Sequence, residues 1–276
     1  MFGQTNHRNS AAALRWATRA LVSTFWLSAI IFGLYIVSFY AGAVWDGAPE
    51  RWNESLPRLY EPGILFATIA IAAHFATGAI LLVLGPIQLI GWVRESIPQL
   101  HRWLGRIYGS AALITGIGGL IFIALNGTIG GAPMNVGFGL YGALTVVAAF
   151  QAIRHARARR FAQHRAWAIR LFALAIGSWL YRMDYGLWRI VANGIGHTRS
   201  FDGPFDIVMA FFFYIPNLLV AEVFISTREM HLRPAIRPTA VLLVSATTLF
   251  VAVGTYYFTA YQWGPRILAR IVGRSV

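Results

Sequence analysis

The sequence predicts an all-α polytopic membrane helix bundle of about seven transmembrane helices, forming one integral membrane domain over 1–276. Three observations predict it. The 276 residues are 57% hydrophobic and 12% charged, about half the charged share of a soluble domain. Apolar runs recur at the length of about 20 residues that a helix needs to cross a bilayer. All 23 basic residues are Arg, and they sit in short segments between the runs, a distribution that sets membrane orientation. The formal charge of +13 therefore reads as a lipid-facing property and not as nucleic-acid binding. A soluble enzyme and a disordered chain are excluded. With no Cys, so are a disulfide framework and any thiolate chemistry.

The runs cover 21–44, 64–90, 104–125, 136–153, 167–188, 206–226 and 239–262. The first follows Arg8, Arg15 and Arg19 in a basic tail over 1–20. Ala41-Gly42-Ala43 offers a small-residue cleavage pattern, but the run is longer than a signal-peptide core of roughly 7–15 residues, so it reads as an uncleaved anchor. With the N-terminus inside, 15 Arg fall on the inner side and 8 on the outer, which favours a cytoplasmic N-terminus. The tail over 265–276 dissents. Its Arg266, Arg270 and Arg274 recur every fourth residue among apolar ones, as in an amphipathic helix lying on headgroups. Trp45, Trp52, Tyr60, Trp188 and Trp263 on one side, and Trp16, Trp92, Trp103 and Trp167 on the other, suit interfacial belts.

Self-comparison suggests a duplicated helical hairpin. Phe75, Leu81, Val83 and Gln88 align without gaps on Phe138, Leu144, Val146 and Gln151, and His101-Arg102 on His164-Arg165. Spans two-three and four-five then form a parallel repeat. His101 and His164 fall at one depth, at the inner starts of spans three and five. Two imidazoles at one level on facing helices are what axial haem ligation requires. Arg102 and Arg165 stand ready for propionates, and Gln88 and Gln151 complete the layer. An anionic ligand, and an ordinary belt of Arg and His at lipid phosphates, are the competing readings.

Other polar residues lie within the spans. His74 sits near mid-membrane, where an ionisable group is a functional hypothesis by default; the repeat places Gly137 opposite it. Glu222 in span six is read either as an ion pair with Arg102, Arg106 or Arg170, or as a proton carrier or cofactor neighbour. Asn217 is expected to satisfy a carbonyl that Pro216 frees. Arg182 and Asp184, two apart, do not face each other and are expected to pair elsewhere or reach headgroups. His197, Arg199, Asp202 and Asp206 fall in an outer loop with no readable pattern. His7, His155 and His231 read as solvated. Gly116, Gly118 and Gly119 suit close helix packing. Gly127–Gly131 reads as a tight outer turn and not as a phosphate-binding loop.

His74-Phe75-x2-Gly78, Gly85-Pro86-x-Gln88, Leu100-His101-Arg102-x2-Gly105-Arg106-x-Tyr108, Gln163-His164-Arg165-x-Trp167 and Asn217-x3-Ala221-Glu222, in that order, resemble the bacterial membrane-protein family called domain of unknown function 2306 over roughly 64–226. The resemblance implies a multipass bacterial membrane protein and no activity. A weaker resemblance is to cytochrome b561-type carriers, whose haem-ligating His stand on four successive helices. Gly137 occupies the fourth position here, which leaves room for one haem and not two.

The leading expectation is a redox protein holding one haem b through His101 and His164. A second is a proton-responsive transporter or lipid-handling protein using His74 and Glu222. A third is a structural or assembly protein. The expected partner is the lipid bilayer.

Overall fold

The computed structural model describes residues 2–226 and 236–273, with side chains of the first helix described from residue 12. His231, Arg228, Arg233 and Arg274, and the side chains of His7 and Arg8, lie outside the described residues. All regular structure among the described residues is helical: α1 Phe2–Tyr35, α2 Gly42–Trp45, α3 Leu65–Leu89, α4 Gly91–Ser96, α5 Pro98–Asn126, α6 Gly131–Arg157, α7 Phe161–Ala175, α8 Gly177–Ala192, α9 Pro204–Phe212, α10 Ile215–Ser226, α11 Arg237–Phe258 and α12 Gly264–Ile271.

Six helical stretches are long and apolar enough to cross a membrane: Ala12–Trp45, Leu65–Leu89, Pro98–Asn126, Gly131–Arg157, Pro204–Ser226 and Arg237–Ile271. They match six of the runs read from the sequence. The run at 167–188 takes a different form, as α7 and α8, of 15 and 16 residues, meeting at Ile176. The cause is local. Gly177-Ser178 loosens the helix there, and a Cβ on Gly177 would touch the Phe213 carbonyl at 3.4 Å. Phe213 lies at the break between α9 and α10, ahead of Pro216, so two interrupted helices meet at their interruptions.

The side where α1 begins is called the arginine-rich side, and the other the far side. Four helices form the centre: α3 packs on α5, α5 on α6, α6 on α7, and α7 on α3. In that ring α5 and α7 are diagonal. The glycines of α5 bring the axes together. A Cβ on Gly118 would lie 2.6 Å from the Ala70 carbonyl, and one on Gly116 2.7 Å from Val146. At the far side Gly127 and Gly131 take positive φ, and the Asn135 carboxamide accepts the Thr128 amide at 2.7 Å, closing the turn between α5 and α6.

Outside this ring, α9 packs on α6, α10 on α7, and α11 on α8. Helix α1 packs on α11 and α3, so the first and last spans are neighbours. Buried Ser28 of α1 accepts hydrogen bonds from the Trp179 indole at 3.0 Å and the Thr255 hydroxyl at 2.7 Å. That clasp ties α1, α8 and α11 in the apolar interior, where an unpaired polar group is costly.

Both outer spans carry π-helical turns toward the far side, at Ile36–Ala41 and Thr259–Trp263. The first turn packs on α12 and the second on α1, and Trp263 packs on Phe32 at 5.1 Å. The last span does not end at 262 but runs on through α12. Arg270 there donates twice to Asp46, at 2.7 and 2.6 Å, and Arg266 lies over Phe39 at 4.6 Å. Both Arg thus engage protein at the far side, whereas the tail reading put them among headgroups. Trp52 and Trp263, read as belt residues, are 2% and 1% exposed and belong to the core. Trp16, Trp45, Trp92 and Trp103 remain exposed.

Candidate functional site

On the arginine-rich side, α5 and α7 start alike. Pro98 and Phe161 open them, and His101 and His164 are the fourth residue of each. Each His amide closes the first turn, onto Ile97 at 3.1 Å and Arg160 at 2.9 Å. The rings are close enough to interact electrostatically. The His164 Nδ1–H donates to the Ala152 carbonyl of α6 at 2.9 Å, which leaves Nε2 with its lone pair. The His101 Nδ1 is buried without a hydrogen-bond partner, as are the Gln88 Nε2 and the Tyr108 hydroxyl. His101 and Tyr108 are two turns apart on one face of α5, and the Gln88 carbonyl oxygen lies against Gly105 between them, 3.3 Å from where its Cβ would stand. Unsatisfied buried polar atoms are uncommon, and here three fall within two turns of α5.

His155, read as solvated, joins this layer. Its ring is half-buried and its Nδ1 has no hydrogen-bond partner. Gln151 does not mirror Gln88, because its carbonyl oxygen accepts from Arg154 at 3.4 Å. Arg102 is exposed and Arg165 partly so. No group of three or more His, Asp or Glu suited to a metal ion occurs among the described residues.

At mid-span, the His74 Nδ1–H donates to the Thr115 carbonyl of α5 at 2.8 Å. The ring lies flat on α5, since a Cβ on Gly119 would stand 3.1 Å from that Nδ1. Beside it the Thr77 and Thr115 hydroxyls pair at 2.7 Å. Arg182 of α8 turns inward and not to headgroups. It donates to its own Ser178 carbonyl at 2.7 Å, lies over the Phe32 ring at 4.7 Å, and acts electrostatically on His74. Asp184 has no hydrogen bond or ion pair among the described residues.

Asn217 donates to the Phe213 carbonyl at 2.9 Å, next along from the Phe212 carbonyl that Pro216 leaves free. Glu222 receives both arms of Arg170, at 2.5 and 2.8 Å, and that guanidinium stacks on Trp167 at 4.7 Å. Of the three arginines named for Glu222, the pair is with Arg170.

The far side holds a network that the sequence did not reveal. Asp206, 1% exposed, accepts from the Tyr185 hydroxyl at 2.6 Å, His197 Nδ1 at 2.7 Å, the Thr198 amide at 2.9 Å and the Gly203 amide at 3.1 Å. The Tyr181 hydroxyl donates to Tyr185 at 3.0 Å. A chain of side chains thus runs from Tyr181, beside Arg182, outward to His197. Gly203-Pro204-x-Asp206 is a helix-start signal that marks Asp206 as a cap, but nothing in the spacing pairs it with His197. In the same loop, the Thr198 and Ser200 hydroxyls hold the Asp202 carboxyl below the usual carboxylate range.

A helical bundle with ionisable side chains turned into its spans, on helices of membrane-crossing length, defines a polytopic integral membrane protein. The chain belongs to the DUF2306 family, described as "Predicted membrane protein", whose model matches residues 71–225, more than half of the chain. No curated protein and no solved structure matches it. None of the comparisons returns the cytochrome b561-type family.

Proposed function

We propose that this is a bacterial inner-membrane redox protein, N-terminus cytoplasmic, that holds one haem b between His101 and His164. The observation that carries the reading is the placement of two imidazoles at one helical register on the diagonal pair α5 and α7, within electrostatic reach of each other. Neighbouring axes lie about 8–10 Å apart, and a diagonal pair is separated by more. That separation would let His101 and His164 hold the group from two sides. The donors fit the group. His164 is held by a backbone carbonyl in the tautomer that frees Nε2, as second-shell bonds do for ligating His, and the His101 ring has an unpartnered nitrogen. Bound there, haem would supply one-electron transfer. Arg102 and Arg165 adjoin the ligands, where guanidinium suits carboxylates. Gln88 brings an unpaired polar atom beside Gly105, and Tyr108 another two turns along α5 from His101.

Under this reading α3 with α5 and α6 with α7 are duplicated hairpins. The gap-free alignment of Gln88 and His101 with Gln151 and His164, and the matching first turns, support it. The Arg distribution of 15 to 8 supports the orientation.

The test is a reduced-minus-oxidised spectrum of purified protein. A Soret band that His101→Ala and His164→Ala each abolish, and His74→Ala leaves in place, is the expected result. Protein without such a band, even after haemin is added, overturns the reading.

A second reading, a proton-responsive membrane protein, is favoured by one observation. The Tyr181–Tyr185–Asp206–His197 chain links the mid-span cluster to the far side.

A further inference from the structure

Three guanidinium groups on the arginine-rich side each lie on an indole three residues earlier in the same helix. Arg19 stands over Trp16 at 5.0 Å on α1, Arg106 over Trp103 at 5.1 Å on α5, and Arg170 over Trp167 at 4.7 Å on α7. Residues three apart are neighbours on a helix, and the ring face attracts the cation. Stacking fixes the guanidinium plane and leaves the N–H groups at its edge to donate. On α7 the molecule shows what such a platform takes: both arms of Arg170 reach one carboxylate, that of Glu222. Trp103 and Arg106 are the sixth and ninth residues of α5, nearly the places that Trp167 and Arg170 hold in α7, the seventh and tenth. Yet no carboxylate lies within ion-pair distance of Arg106 among the described residues. Trp103 is 62% exposed, and Arg106 is exposed beside it.

The α5 platform stands at one end of an apolar face. Ile107, Ile114, Ile117, Ile121 and Leu125 are all exposed. With 3.6 residues per turn they share with Trp103 and Arg106 one sector of α5 about 100° wide. Arg106 is twenty residues before Asn126, the end of α5, a rise of about 30 Å. That is the thickness of a hydrocarbon core. With the far-side end of α5 at one boundary of this core, Arg106 stands at the other, the level of the lipid phosphates. His101, two residues from Trp103, faces about 160° away, so this face is separate from the layer of His101 and His164.

We propose that the Trp103–Arg106 platform is a binding site for the head of an anionic glycerophospholipid, whose acyl chains lie along the exposed face of α5. The planar guanidinium matches two oxygens of a phosphodiester as Arg170 matches the two of Glu222. One cation balances the single negative charge of that head. In a zwitterionic lipid the ammonium of the same molecule already neutralises the phosphate, so the guanidinium adds less. The apolar face below Arg106 selects a lipid over free phosphate, because only a lipid fills both the polar end and the stripe of Ile side chains. The Trp103 ring, with an apolar body and a polar N–H, suits the boundary between them.

The test is native mass spectrometry of the full chain in a non-ionic detergent, titrated with dioleoyl phosphatidylglycerol or with dioleoyl phosphatidylcholine. The first phosphatidylglycerol should bind about tenfold or more tighter than the first phosphatidylcholine, the scale of a charge-assisted bond. Arg106→Gln should reduce its binding to the phosphatidylcholine level, and Arg106→Lys, which keeps the charge without the fork, should retain part of it. Arg170→Gln removes the same charge from a platform that Glu222 already fills, and should leave the binding in place. Inorganic phosphate should not displace the lipid. Equal affinity for the two lipids would mean ordinary lipid contact and overturn the proposal. Displacement by inorganic phosphate at equal concentration would mean a water-facing anion site and overturn it too. So would undiminished binding in folded Arg106→Gln, or an equal loss in folded Arg170→Gln. The lipid comparison and the phosphate competition use the unaltered protein, so they decide the matter even if Arg106→Gln does not fold.

Discussion

Replacing Asp206 separates the worth of its charge from the worth of its shape. Five donors converge on the carboxylate, three from side chains and two from backbone amides, the Thr198 hydroxyl being the most distant at 3.5 Å. Asp206→Leu keeps the volume and removes every acceptor. The Tyr185 hydroxyl and the His197 ring can turn, but the Thr198 and Gly203 amides are fixed by the chain. At about 1–3 kcal/mol for each buried unsatisfied donor, the two amides alone set a loss of about 2–6 kcal/mol. Asp206→Asn is milder. Its oxygen can face the two amides while its NH2 meets the Tyr185 oxygen and the His197 Nδ1, if that ring moves its proton to Nε2. What remains is the difference between charge-assisted and neutral hydrogen bonds, about 1–2 kcal/mol in total. Reversible unfolding in mixed micelles, followed by tryptophan fluorescence, should rank wild type above Asn and Asn above Leu. Equal stability of the Asn and Leu variants would refute the reasoning, because it would mean that the amides do not depend on the carboxyl.

Other substitutions test the packing and the pairs. Gly118→Ala should cost about 1–3 kcal/mol, since its Cβ would stand 2.6 Å from the Ala70 carbonyl, whereas Gly139→Ala, with nothing within 4 Å, should be neutral or stabilising in the same unfolding assay. Arg170→Gln and Glu222→Gln should show a coupling of about 1 kcal/mol or less in a double-mutant cycle, shrinking with added salt, because Glu222 is 49% exposed and screened. Arg270 holds the Asp46 carboxyl below its ordinary value of 3.8. The stability gained from that pair is thus fully present above this value and is lost as pH falls through the lowered folded value. The difference in unfolding midpoint between wild type and Asp46→Asn should therefore vanish on acidification and persist at neutral pH. In this cysteine-free chain, a Cys at Asn53 should react with an impermeant thiol reagent from outside and one at Arg157 should not; the opposite pattern reverses the orientation.

The spans were legible because hydropathy alone decides them, and their bounds fell within a few residues for those at 64–90 and 206–226. The interruption at Ile176 was not, since Gly177 signals a close approach only once Phe213 is known to stand against it. Trp52 and Trp263 looked like belt residues because an aromatic near a span end carries the same sequence signal whether it faces lipid or core. The equivalent positions of His101 and His164 at the inner starts of their helices were readable from the gap-free alignment. Arg182 turning inward was not, because a long side chain chooses its direction from neighbours such as Phe32, far away in sequence. The Asp206 network needed the fold of the 193–203 loop, which no periodicity encodes.

The clasp of Ser28, Trp179 and Thr255 bears on biogenesis. Its hydroxyls are 227 residues apart, so α1 enters the bilayer long before its partner is made. Until then Ser28 lacks its native partners, and the α1 face that meets α11 is covered by lipid or by an insertion factor. Assembly of this bundle is thus a ring closure, completed only when α11 inserts beside α1. A newly made chain halted before α11 presents a polar, unclosed edge within the membrane, the kind of surface by which membrane quality control can tell unfinished protein from finished.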